Sequence, residues 1–160
     1  MLDGPSAVRA LKAGGVTHVV WIPDSALGTW EPALRADPDL RLVRVCREGE
    51  AIGVAAGLLL GGKRPAVLIQ CTGLFEAGDA LRNVVHDLKL PLVLVVGVRG
   101  HEALRRGTGR DNCPVFTEPF LQAWQLPYVW VAGADPAAEL AAACQKAWAD
   151  GRAGAALLPE

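Results

Sequence analysis

The chain has 160 residues and a mass of 16.8 kDa, enough for one domain that buries roughly two thirds of its unfolded surface and too little for two full enzymatic domains. With 51% hydrophobic and 21% charged residues, a mean hydropathy of +0.25 and a formal net charge of -1, it is neither a disordered chain nor one with an electrostatic reason to bind nucleic acid. The longest apolar runs, Ala51–Gly62 and Leu90–Val98, fall short of the ~20 residues a membrane-spanning helix needs, and Met1 opens onto Asp3-Gly4-Pro5 rather than a signal peptide, so a cytoplasmic protein is expected.

Asp3 and Pro5 start a helix with apolar residues Ala7, Val8 and Leu11 at helical spacing, and His18–Ile22 has the composition of a buried strand stopped by Pro23. Asp24-Ser25 forms a loop before a short amphipathic helix around Trp30–Arg35. A second strand over Leu40–Cys46 leads into a long apolar helix from about Gly49 to Leu60. The third strand, Pro65–Cys71, closes in a Thr72-Gly73 turn. A helix carrying Ala80, Leu81, Val84, Val85 and Leu88 precedes Leu90–Gly97, a strand apolar on both faces and hence central in a parallel sheet.

From Arg99 to Pro114 the pattern breaks into a Gly- and Arg-rich loop; Phe116–Trp124 then reads as helix and Tyr128–Val131 as strand. Asp135 and Pro136 make an N-cap and first-turn pair for an alanine-rich helix ending before Gly151, and Ala155–Leu158 is a last short strand. The alternation predicts a single three-layer α/β domain, with about six mainly parallel strands and helices on both faces. The four cysteines, Cys46, Cys71, Cys113 and Cys144, contain no C-x-x-C pair and read as buried free thiols. The five tryptophans are scattered and read as core or interface anchors.

In open α/β sheets ligands gather beyond the carboxyl ends of the strands, which selects Pro23-Asp24-Ser25, Arg47-Glu48, Gln70–Leu74 and Arg99–Asn112. No P-loop, dinucleotide fingerprint, nucleophile elbow or H-E-x-x-H motif occurs there. What stands out is Glu48 at the end of the second strand, followed by Gly53, Ala55 and Gly57 inside a helix. Glycine in a helix interior costs about 0.5–1 kcal/mol relative to alanine, so two in one helix suggest that something packs close to that backbone.

The run Cys46-Arg47-Glu48-Gly49-Glu50-Ala51-Ile52-Gly53-Val54-Ala55-Ala56-Gly57 resembles the signature of the pyrimidine-binding domain of thiamine diphosphate enzymes, in which a strand-end Glu is followed by Gly, Ala and Gly at this spacing; Glu50 departs from it. Gln70-Cys71-Thr72-Gly73-Leu74 is similar to the family's Ser/Thr-Gly turn, and Leu90–Gly97 to its central strand. Within the family the chain most resembles the phosphonopyruvate and sulfopyruvate decarboxylases, through Pro23-Asp24-Ser25 and a strand ending in Arg99-Gly100. The Gly-Asp-Gly motif of the diphosphate-binding domain, with its distal Asn pair, does not occur; Gly78-Asp79-Ala80 is a poor substitute.

The resemblance implies that residues 1–160 form a pyrimidine-binding α subunit of a two-component 2-oxo acid decarboxylase. A separate β subunit in an α2β2-like assembly would hold most of the diphosphate and magnesium of the thiamine diphosphate cofactor. It further implies that Glu48 activates the cofactor's aminopyrimidine, that Thr72, Gly73 and Leu74 border that ring, and that Ser25, Arg99 and His101 bind the substrate. Arginine forks in the Arg99–Asn112 segment suit the oxygens of a second acidic group. Two other readings stay open: a non-catalytic α/β binding or assembly module, and a subunit of another thiamine diphosphate-dependent synthase or oxidoreductase.

Overall fold

A computed structural model describes residues 2–24 and 26–160. In chain order its elements are α1 (Gly4–Ala13), β1 (His18–Trp21), a 3-10 turn (Leu27–Trp30), α2 (Glu31–Ala36), β2 (Arg41–Arg44), α3 (Glu48–Leu60) and β3 (Pro65–Gln70). Then come α4 (Cys71–Glu76), α5 (Gly78–Arg82), which runs on through a π-helical turn (Asn83–Asp87), β4 (Val93–Val98), α6 (His101–Arg105), α7 (Cys113–Ala123), β5 (Tyr128–Trp130), α8 (Pro136–Asp150) and β6 (Gly154–Pro159).

The six strands form one sheet in the order β2-β1-β3-β4-β6-β5, every pair parallel. β3 and β4 lie in the middle and are buried along nearly their whole length, as strands covered on both faces must be. Val19, Trp21, Leu68, Val95 and Leu158 face a layer made by α1, the 3-10 turn, α2 and α8. Val20, Val67, Ile69, Leu94 and Val96 face α3, α4, α5 and α7. The three-layer α/β architecture is the one the alternation predicts.

Local chemistry sets the helix ends. Asp3 accepts from Ser6 N–H at 2.7 Å and Asp135 from Ala138 N–H at 3.0 Å, each with a proline in the first turn, and α8 stops at Gly151 in the left-handed conformation. Tryptophans pin the layers: Trp30 donates to Leu2 C=O, Trp148 to Gly14 C=O and Trp124 to Gly78 C=O. Cys71, Cys113 and Cys144 are buried free thiols, whereas Cys46 is exposed, because it lies past the end of an edge strand.

Two expectations are corrected. Thr72-Gly73 is not a turn: β3 passes without a loop into α4, whose second and third residues they are. The Arg99–Pro114 segment is not wholly loop, since Gly100 at φ +78° launches the short α6. Long-range pairing holds that helix, Glu102 N–H donating to Glu160 C=O at 3.0 Å.

Candidate active site at the carboxyl edge of the sheet

Glu48 opens α3, shortly beyond the last paired residue of β2. An acid in a first helical turn is favoured by the macrodipole, and three acids crowd this helix start. Two of them are occupied. Glu50 reaches back to accept from Cys46 N–H at 2.9 Å, one residue before the N-cap Arg47, which gives the residue that departs from the family spacing a local purpose. Glu76, from α4, accepts from Gly49 N–H at 2.8 Å and pairs with Arg47 at 2.5 Å; the Arg47 guanidinium, then the Gly49 N–H, hold its carboxyl below the ordinary range.

The Glu48 carboxyl is left over. Among the described residues no hydrogen bond or ion pair engages it, although the residue is half-buried. It lies flat against Gly73: a Cβ at that position would stand 2.5 Å from Glu48 Oε1 and 2.8 Å from its Cδ. Gly73 is itself buried inside α4, so the glycine there exists because the Glu48 side chain fills the place of a Cβ. Carboxyl and backbone together form a cradle with a free acceptor, able to take the edge of a planar nitrogen heterocycle. Thr72, exposed beside it, approaches Gln70 Oε1 at 3.4 Å through its hydroxyl. The side chain of Leu74 is fully buried in the core below.

Arg99 follows β4 directly, and its Nε–H donates to Asp111 Oδ2 at 2.8 Å. Asp111 also accepts from Cys113 N–H at 3.0 Å, and this bond, then Arg99, holds its carboxyl low. The guanidinium is therefore aimed by a residue twelve positions on while half of it stays open to solvent. His101 lies elsewhere: its ring packs against Trp130 of the edge strand β5, with centroids 4.2 Å apart and the planes tilted by 36°. Arg105 and Arg106 pair with Glu102 on the surface of α6. Ser25 lies outside the described residues; its neighbour Asp24 organises the loop, accepting from Ala26 N–H at 2.8 Å and Leu27 N–H at 2.7 Å.

Sequence reasoning missed Glu160. It follows β6, and its carboxyl folds over Gly97, where a Cβ would stand 2.9 Å from its Cδ. Burial pushes this carboxyl up to about 7, the charge of Asp24 adds to the rise, and Arg99 opposes it. The signal was available: a polar residue at the end of a recognisable strand.

A cavity of about 280 Å³ between β4, β5 and α8 lies at the opposite, amino-terminal edge of the sheet, lined largely by apolar side chains such as Val93, Ala147 and Ala153. Glu48 against Gly73, Glu160 against Gly97, and Arg99 all lie at the carboxyl edge instead. Among the described residues no three His, Cys, Asp or Glu side chains group to hold a metal ion, and no helix is long and apolar enough to cross a membrane. Among the described residues nothing lies within 4 Å of the position a Cβ would take at Gly53 or Gly57, so the close approach that these glycines suggest is not made by any of them.

The chain is 30% identical over 120 residues to sulfopyruvate decarboxylase subunit alpha of Methanococcus maripaludis, covering 75% of this chain and 71% of that subunit. It is 35% identical over 102 residues to the same subunit of Methanothermobacter thermautotrophicus, covering 63% and 62%. The phosphonopyruvate decarboxylase of Streptomyces viridochromogenes is 34% identical over 100 residues, 62% of this chain but 25% of that enzyme. Benzoylformate decarboxylase from Polynucleobacter necessarius shares the fold with a TM-score of 0.72 at 20% identity, over 99% of this chain and 30% of that one. Residues 4–115 match the model of the thiamine pyrophosphate enzyme N-terminal TPP binding domain, and the chain belongs to that family.

Proposed function

We propose that this chain is the pyrimidine-binding α subunit of a two-component thiamine diphosphate-dependent decarboxylase acting on a small acidic 2-oxo acid of the sulfopyruvate or phosphonopyruvate type. The observation that carries the reading is the unengaged Glu48 carboxyl against Gly73, in a family whose cofactor needs an acid beside its aminopyrimidine ring. Relatives named as alpha subunits support a partner chain, a diphosphate-binding β subunit that supplies the magnesium site and most of the diphosphate contacts.

When bound, the cofactor supplies a nucleophilic carbon and an electron sink for the departing carboxylate. This chain's residues do the rest. Glu48 holds a proton against the ring nitrogen N1′ and so biases the aminopyrimidine toward its basic tautomer, while the backbone of Thr72, Gly73 and Leu74 forms the wall behind it. Arg99, pre-aimed by Asp111, presents guanidinium N–H groups to the sulfonate, phosphonate or second carboxylate of the substrate, the bidentate match that lysine cannot make. Ser25 and His101 remain candidates for the substrate carboxylate, the latter once its ring leaves Trp130.

The outward face of α3, open at Gly53 and Gly57 and carrying Leu60 at 71% exposure, is the surface we assign to the neighbouring subunit that covers the cradle. The test is Glu48→Gln in the assembled enzyme. Loss of carbon dioxide release by at least about a hundredfold, with an unchanged melting temperature of the chain, is expected for an acid acting on the cofactor. Wild-type turnover by that variant would remove Glu48 from the mechanism.

A further inference from the structure

Decarboxylation consumes a proton whose source the proposed function leaves unassigned, and any assignment of that source rests on the decarboxylase reading. Glu160 is held on both sides of its backbone, its N–H donating to Val98 C=O at 3.3 Å and its C=O accepting from Glu102 N–H at 3.0 Å. Its side chain consequently turns inward over Gly97, which pairs with Gln70 of β3 on one side and Leu158 of β6 on the other. The carboxyl thus sits at the middle of the sheet's carboxyl edge, beside the strand that runs into Thr72 and Gly73.

Both Glu160 oxygens are shielded from solvent and, among the described residues, have no hydrogen-bond partner; the same holds for Asp24 Oδ2. A buried carboxylate without a donor is costly, and a buried carboxylic acid is not. The charged groups that reach Glu160 are Asp24, from the loop after β1, and Arg99, from the end of β4, itself tied to Asp111. Burial and Asp24 outweigh Arg99, and the carboxyl is pushed up to about 7, where an acid can both give and regain a proton at neutral pH.

Other groups at this edge are poor donors. Arg99 does not deprotonate in a protein. The Cys113 thiol is pushed up to about 11 by burial and its neighbours Asp111 and Cys71. His101 is packed against Trp130, and Glu48 is committed to the cofactor ring in the proposed function.

We propose that Glu160 is the acid that protonates the substrate carbon after carbon dioxide leaves. The bond between the carboxylate and the former carbonyl carbon breaks and leaves its electron pair on that carbon. The pair takes the Glu160 proton as the O–H bond breaks and a C–H bond forms. The resulting carboxylate is stabilised by Arg99 and is reprotonated from water, so the net reaction is 2-oxo acid anion plus one proton giving aldehyde and carbon dioxide.

Two measurements test this. In the isolated chain, isotope-edited infrared spectroscopy should find one carboxylic acid band that titrates near pH 7, vanishes in Glu160→Gln and shifts to lower pH in Asp24→Asn. In the complex with the partner subunit, a chemical oxidant that intercepts the electron pair on carbon separates cleavage from protonation. Glu160→Gln should lose aldehyde formation by about a hundredfold or more while keeping oxidant-dependent carbon dioxide release near the wild-type rate.

Equal loss of both activities in a variant with the wild-type melting temperature would make Glu160 a binding or structural residue and overturn the proposal. Undiminished aldehyde formation, or a Glu160 carboxyl that titrates in the ordinary range, would overturn it as well. A wild-type complex that releases no carbon dioxide from any 2-oxo acid refutes the decarboxylase reading and this assignment with it; a normal titration alone refutes only the assignment.

Discussion

Substituting Gly73 by alanine separates a structural role of Glu48 from a functional one. In an ordinary helix interior Gly→Ala stabilises by about 0.5–1 kcal/mol. Here the new methyl would stand 2.5 Å from Glu48 Oε1 and 2.8 Å from its Cδ, closer than real contacts come. Keeping Glu48 in place would cost about 1–3 kcal/mol of overpacking, more than the propensity gain, so the lower-energy outcome is rotation of the free carboxyl away from α4. Stability then changes by no more than about 1 kcal/mol, a shift of about 2–4 °C in melting temperature for a domain of this size. The carboxyl, however, is displaced by about 1 Å or more, enough to weaken a positioned contact by about a hundredfold. Differential scanning fluorimetry of the chain and calorimetric titration of thiamine diphosphate into the two-subunit complex measure both. A G73A variant that melts higher and binds cofactor with wild-type affinity would refute the cradle.

Arg99→Ala should raise the Michaelis constant for a sulfonated or phosphonated 2-oxo acid at least tenfold, about 1.4 kcal/mol, with a smaller effect on turnover; an unchanged constant in steady-state assays would make Arg99 purely structural. Glu160, raised from 4.5 to about 7, binds protons more readily in the folded chain than in the unfolded one, so its contribution to stability is complete below pH 4.5 and is lost as pH rises toward 7. Fully shielded, that rise would be worth about 3 kcal/mol; for a partly exposed residue about 1–2 kcal/mol remains, and urea unfolding of Glu160→Gln from pH 4 to 8 should lose that slope. Trp21 is fully buried with its indole N–H unpartnered among the described residues, so Trp21→Phe should cost less than about 2 kcal/mol in urea unfolding, because the lost volume is offset by removal of an unsatisfied donor.

Buried strands with continuous apolar runs, such as β4, and helices with a capping Asp-Pro pair, such as α8, are legible because their signals are local. Glu48 and Arg99 are legible as strand-end residues, but what surrounds them is not. Gly73 reads as a turn residue in sequence, and only the arrival of Glu48 from another element makes it a helical position. α6 hides inside a Gly- and Arg-rich stretch, since the bond from Glu102 N–H to Glu160 C=O comes from the far end of the chain. Glu160 itself becomes a site residue through the pairing of β6 beside β4, a non-sequential neighbour relation that strand recognition does not provide.

The most direct measurement is carbon dioxide release from sulfopyruvate by the chain purified together with its native partner, in the presence of thiamine diphosphate and magnesium, for wild type and Glu48→Gln side by side. Release by the wild-type complex, dependent on a partner bearing the Gly-Asp-Gly motif and abolished by Glu48→Gln, is the predicted result. No partner of that kind together with no cofactor binding, or equal release by both forms, would contradict it.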